Sequence, residues 1–209
     1  MRKLVAAALF AALTTFVVAM SLRAPDATVA LLAVAGITVL VTWFAGQHST
    51  EEESGLALAN PASAVALTLV GRSNSATIFP LIASQLIGAV VGGFAALGLG
   101  LDSELGDTLI WSEPTLLATG IVVGVLGVVA TWLIFAIDQQ VSEAYAAIPP
   151  LLTGASLPLS LGSALNPAVV FGLATANLIS WDVASVAAVA GLLAAVVGAY
   201  TVNVISPTD

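Results

Sequence analysis

Apolar residues in this chain fall in blocks long enough to cross a bilayer, and the charged residues collect between the blocks. A membrane-spanning helix needs about 20 predominantly apolar residues. Candidate spans are 4–21, 27–45, 78–101, 115–137, 144–161 and 183–205, which gives six. The first follows Arg2-Lys3, a basic start that also suits a signal peptide. No clear small-x-small cleavage site ends it, and Arg23 and Pro25 suit a loop, so the reading is a retained first helix. Two apolar segments are left over, 60–70 and 166–176. About ten residues make a helix of roughly 15 Å, half the thickness of the hydrocarbon core.

Each short segment opens on the same triplet, Asn60-Pro61-Ala62 and Asn166-Pro167-Ala168. Asn is a strong N-cap, Pro fits the first helical position, and Ala propagates a helix. A short apolar segment behind a capping signature reads as a re-entrant half-helix. The non-helical backbone leading into it is tolerable only where it lines a wet cavity or is buried in protein. The order then repeats: two spans, a half-helix and one span, twice over. Three spans per half is an odd number, so the second half enters the membrane upside down. Asn60 and Asn166 then approach from opposite sides and meet near the midplane. The predicted fold is an all-α integral membrane protein, six transmembrane helices plus two re-entrant half-helices in an inverted repeat. It forms a single channel domain over 1–209, with repeats of about 1–101 and 115–209. Inverted repeats with broken helices at the centre are a known solution for solute sites in membranes.

Composition supports the membrane reading and removes other classes. Hydrophobic residues make up 59% and charged residues 8%, against about 25% charged in soluble domains. There is no cysteine and one histidine, His48, so neither a disulfide nor a metal cluster is expected, and no cofactor is called for. Four Lys and Arg cannot supply the basic stripe that nucleic acid needs. No nucleophile–base pair or phosphate loop points to an enzyme, so no catalytic residue is assigned. The net charge of −8 makes the wet surfaces acidic, a pattern common in high-salt cytoplasms that points to a halophilic source. Arg2, Lys3 and Arg72 fall on one side of the spans and Arg23 on the other, which puts both termini in the cytoplasm by the positive-inside rule.

The chain resembles the aquaporin and aquaglyceroporin (major intrinsic protein) family. The resemblance rests on both Asn-Pro-Ala triplets, on Ser54-Gly55 before the first and Gly162 before the second. It also rests on Ile82-Ala83-Ser84-Gln85-Leu86-Ile87-Gly88-Ala89 in the third span, and on Gly191 and Tyr200 in the sixth. It implies a multi-pass channel of the cell membrane, in contact with lipid and assembled as a homotetramer. The cap asparagines would orient water or a small neutral solute, and converging helix dipoles would disfavour cations and a proton wire. The chain also departs from the family pattern. Where the family usually has an arginine, three residues after the second cap asparagine, stands Val169. The other filter positions the resemblance points to are Ser163, Gly154 or Ser156 in the fifth span, and a position between Ala35 and Leu40 in the second, taken as Leu40. No residue in this set is a bulky aromatic or histidine, so a wider, less hydrogen-bonding filter is expected, passing water and glycerol, urea, ammonia or gases. The buried glutamates usual in the first and fourth spans are absent, and Leu58 stands where a histidine is usual. The loops before the half-helices are therefore expected to be held by Gln85 or by backbone contacts.

The glycines read first as packing positions, with Gly88-x3-Gly92 and Gly120-x3-Gly124 at helical spacing. Trp43, Trp111 and Trp181 fall at span ends as interfacial anchors, and Trp132 lies deeper. A secondary transporter is the main alternative, but coupling to H⁺ or Na⁺ usually leaves an ionisable group in the membrane, and none lies securely inside a span. A non-conducting structural relative is the third reading.

Overall fold

The computed structural model describes residues 1–23, 26–100, 113–155 and 160–205. Among these described residues, five helices are long and apolar enough to cross a membrane: α1 (Arg2–Ser21), α2 (Ala27–Gly46), α4 (Ile78–Gly100), α5 (Leu116–Asp138) and α9 (Trp181–Ile205). Two nine-residue helices follow the triplets, α3 (Pro61–Leu69) and α8 (Pro167–Thr175). These match the short segments read from the sequence, and at 1.5 Å per residue each is about 14 Å long. Side-chain oxygens cap two of the long helices, at positions the sequence analysis does not single out. Asp26 accepts from the backbone N–H of Thr28 at 2.7 Å, and Thr115 accepts from that of Ala118 at 3.2 Å.

The stretch expected as the fifth span departs from a single regular helix. A 3-10 segment (Ser142–Ala147) precedes α6 (Ile148–Ala155), and α7 (Ser160–Ala164) leads toward the second triplet. Pro149 and Pro150 explain the break: neither has a backbone N–H, so they are tolerated only in the first turn, and the α-helix restarts at Ile148. Ser156, Trp111, Leu101 and the acidic Asp102, Glu104, Asp107 and Asp209 lie outside the described residues.

Local contacts fix which element end lies on which face. Lys3 pairs with Glu53, Arg72 Nη1 donates to the Glu51 carbonyl, and Arg72 Nε donates to Asp138 at 2.9 Å. The start of α1, the segment after α3 and the end of α5 therefore share one face. At the opposite end of α5 the Glu113 carboxylate accepts from the Ser180 backbone N–H, which brings the segment after α8 to the other face. The two half-helices thus run outward to opposite faces, as an inverted arrangement requires. Each packs on the last long helix of the other half, α8 on α4 and α3 on α9.

Small residues allow these approaches. A Cβ on Gly88 would sit 2.0 Å from the Ala8 carbonyl oxygen, and one on Gly92 would sit 2.3 Å from that of Ala12, so α1 and α4 touch backbone to backbone. In lipid no hydrophobic force drives helices together, and such close contact supplies the attraction instead. The second glycine pair behaves differently from the sequence expectation. Nothing lies within 4 Å of a Cβ on Gly124, and α5 meets α9 through Gly127 against Ala194 and Thr131 against Gly198. Arg23 also differs from the wet loop residue expected: it is buried, and its Nη1 donates to the Ala96 carbonyl in α4 at 2.8 Å. Trp43 and Trp181 are exposed at helix ends, and Trp132 Nε1 donates across to Thr201 on α9 at 3.1 Å.

Substituting Gly88→Ala is expected to lower stability by about 1–3 kcal/mol, because a backbone atom cannot yield to the new methyl group. Gly124→Ala, in open space, is expected to be neutral or to gain about 0.5–1 kcal/mol from helix propensity. Thermal unfolding of the two purified variants in one detergent checks both values, and equal midpoints would contradict the packing assignment.

Candidate functional site

Asn60 sits in extended backbone, and its side-chain oxygen accepts from the Ser63 N–H at 2.8 Å. Asn166 does the same for α8, accepting from Ala168 N–H at 3.0 Å and Val169 N–H at 3.4 Å. A backbone donor requires an oxygen opposite it, so the capping bond fixes the orientation of each carboxamide. The oxygen faces its own helix, and the amide N–H₂ remains to donate elsewhere. Both asparagines are half-buried and line one cavity of about 80 Å³.

The loops that deliver the two caps are tied to the long helices. Gln85 Nε2, fully buried in α4, donates to the Ala57 carbonyl at 2.9 Å, three residues before Asn60. Ser54 Oγ caps the 3-10 turn (Gly55–Leu58), and the Ser54 N–H donates to the Arg72 carbonyl at 2.7 Å. On the other side the Asn166 N–H donates to the Ser163 carbonyl at 3.2 Å, and Gly191 leaves room for the Pro167 ring.

The cavity wall is mostly apolar, with Val18, Val34, Leu133, Ile134 and Leu152 among its residues. A polar line crosses it: Thr14, Thr38, Thr42, Ser163 and the two asparagines. Thr14 and Thr38 donate their hydroxyl hydrogens to the Phe10 and Val34 carbonyls, both at 2.7 Å. Their oxygens then remain toward the cavity as acceptors. No Asp, Glu, Lys, Arg or His among the described residues lines it. Two helix N-termini supply partial positive charge at its centre. Such a site can hydrogen-bond a neutral solute, donating from the asparagines and accepting at the threonines, while the two positive helix ends and the lack of a lining carboxylate disfavour a cation.

The residues named from the sequence separate into two groups. Asn60, Asn166, Ser163 and Val169 line the cavity together. Pro61, Pro167 and Ala168 are buried in the first turns of their half-helices, and Ala62 borders a small adjoining space of about 30 Å³. Leu40 and Gly154 do not line the cavity. Leu40 is 49% exposed on the outer surface, because α2 turns Val34, Thr38, Val41 and Thr42 inward and Leu40 lies off that stripe. Gly154 is exposed with open space around it, and α6 contributes Ile148, Leu151 and Leu152 instead. The sequence reading missed Thr14 and Thr42, and named Leu40 from a range, Ala35 to Leu40, that also holds Thr38. Thr38 and Thr42, one helical turn apart inside an apolar span, were the available signal.

Two substitutions separate the capping role of Asn60 from its donor role. Asn60→Ala removes the cap and is expected to cost about 1 kcal/mol. Asn60→Asp keeps an oxygen for the Ser63 N–H and is expected to stay closer to wild type in thermal stability, while it replaces the amide donor with a charge. In ion-flux measurements on vesicles the Asp variant should therefore admit cations that wild type excludes. An Asp variant that remains cation-tight would contradict the donor assignment.

No family model and no curated protein sequence matches the chain. Among solved structures, the fold is similar to the X-ray structure of the aquaglyceroporin from Plasmodium falciparum, at a TM-score of 0.77 and 18% sequence identity. The superposition covers 99% of this chain and 97% of that one. The chain has the aquaglyceroporin fold, an all-helical membrane architecture with paired half-helices.

Proposed function

We propose that the protein is a passive, multi-pass membrane channel for water and small neutral solutes such as glycerol, urea, ammonia or gases. The observation that carries this reading is the convergence of Asn60 and Asn166, from opposite faces, on one uncharged cavity. Passive flow needs a path of exchangeable hydrogen bonds and no charge-coupling group, and the cavity's lining supports that. The fold likeness supports the same class. Val169 stands one turn into α8, fully buried against the cavity. With Ser163 beside it, the outer part of the path offers little hydrogen bonding and no cation, a filter suited to solutes larger than water. Arg2, Lys3 and Arg72 lie on the face where α1 begins, and Arg23 at the other end of α1, so that first face is the cytoplasmic one in this reading. The outward apolar side chains of the long helices, Phe79, Leu117 and Val204 among them, face lipid or neighbouring copies in a homotetramer.

Stopped-flow light scattering of proteoliposomes tests the proposal. Wild type should pass both water and glycerol faster than protein-free vesicles. Val169→Arg should lower glycerol permeability about tenfold, the equivalent of about 1.4 kcal/mol in the barrier, and water permeability much less. Equal losses for both, or no flux in wild type, would sink the proposed filter.

A further inference from the structure

Beside the pore cavity, at the first turn of α3, lies the niche of about 30 Å³. Small residues of three helices border it: Ala62, Gly127 and Gly191. Asn60, Ala130, Ile134 and Leu165 are common to the niche and the pore cavity. Ser63 borders the niche and not the pore cavity. It is 3% exposed, its backbone N–H is committed to the Asn60 oxygen, and its hydroxyl bonds no described residue. Unlike the hydroxyl of Thr15, it is not sealed off from accessible space. Thr14, Thr38, Thr68, Thr131 and Thr175 each donate to the carbonyl one helical turn back. Ser63, in the first turn of its helix, does not.

We propose that the niche holds a resident water molecule, bonded between the Ser63 hydroxyl and one N–H of Asn60, which makes Ser63 a positioning residue for the pore donor. A carboxamide nitrogen carries two hydrogens. The Asn60 oxygen is committed to its own helix and the residue borders both spaces, so one N–H serves the pore and the other the niche. The space exceeds the roughly 10–15 Å³ that one water requires, and a water also needs two to four polar partners. Thr131 is a third: its hydrogen goes to the Gly127 carbonyl at 2.8 Å, so its oxygen can only accept. No charged residue among the described ones borders the niche, and it offers donors as well as acceptors, which suits water better than an ion. The other half has no such device, since Val169 stands three residues after Asn166 and Asn166 does not border the niche. The first cap is thereby held at both ends, its oxygen by the Ser63 backbone and its nitrogen, through the water, by the Ser63 side chain. The positioning role rests on the channel reading; the water site does not.

Atomic-resolution crystal structures of the full chain, wild type against Ser63→Ala, read the site directly. Wild type should show a density peak in the niche within hydrogen-bond distance of both Ser63 Oγ and Asn60 Nδ2, and Ser63→Ala should lose it. Ala62→Val, which fills the niche and leaves the hydroxyl in place, should lose it too. A wild-type structure without the peak, or a peak unchanged in Ser63→Ala, would overturn the site. Water flux in proteoliposomes reads the role. Both variants should lose at least about twofold in water permeability, with thermal midpoints near that of wild type. A peak in wild type without that loss in the variants would overturn the positioning role. No flux in wild type would refute the channel instead, and the water site would then stand or fall on the density alone.

Discussion

A carboxamide has one acceptor and one donor end, and in this protein the acceptor end of each cap asparagine is committed. Asn60 and Asn166 each turn their oxygen toward the first N–H groups of their own half-helix, satisfying donors that a membrane interior would otherwise leave unpaired. The N–H₂ groups are thereby oriented toward the shared cavity, where water or another acceptor can meet them. One bond therefore stabilises the helix start and sets the polarity of the path.

Everything else in the fold serves to bring those two caps together. A half-helix of nine residues cannot hold itself in place, because isolated helices of that length are marginal. Here each is fixed by close contact with a long helix of the opposite half. Gly93 of α4 lies so near the Gly172 carbonyl of α8 that a Cβ would sit 2.2 Å from it, and α3 packs on α9. The loop before Asn60 hangs from Gln85, and Arg72 closes it onto Asp138 at the end of α5. Gln85 engages a backbone carbonyl and Arg72 both a carbonyl and the Asp138 carboxylate, and none of these three residues lines the pore cavity.

The long-range plan was legible because it rests on length and local chemistry. Blocks of about 20 apolar residues mark six spans, five of which are long helices among the described residues, and two capped segments of half that length mark α3 and α8 within a residue or two. Gln85 was legible as one candidate loop anchor because the glutamates that usually hold these loops in the resembled family are absent from the sequence. Side-chain direction within the spans was not. In α2 the local pattern offers only Thr38 and Thr42, one turn apart, against a wholly apolar background, and packing against α1 and α6 decides that they turn inward and Leu40 does not. The fifth span hid a break because apolarity masks the two prolines that restart its helix. Arg23 read as a wet loop residue because only the tertiary fold reveals the Ala96 carbonyl that receives it.

The central claim is that the two caps open onto one continuous hydrogen-bonding path across the membrane. The temperature dependence of water permeability in reconstituted vesicles tests it most directly. A solute handed from donor to acceptor along such a path never dissolves in hydrocarbon, so its activation energy should fall well below that of protein-free vesicles of the same lipid. An activation energy equal to that of the bare bilayer would show that water still crosses through lipid, and would contradict the account.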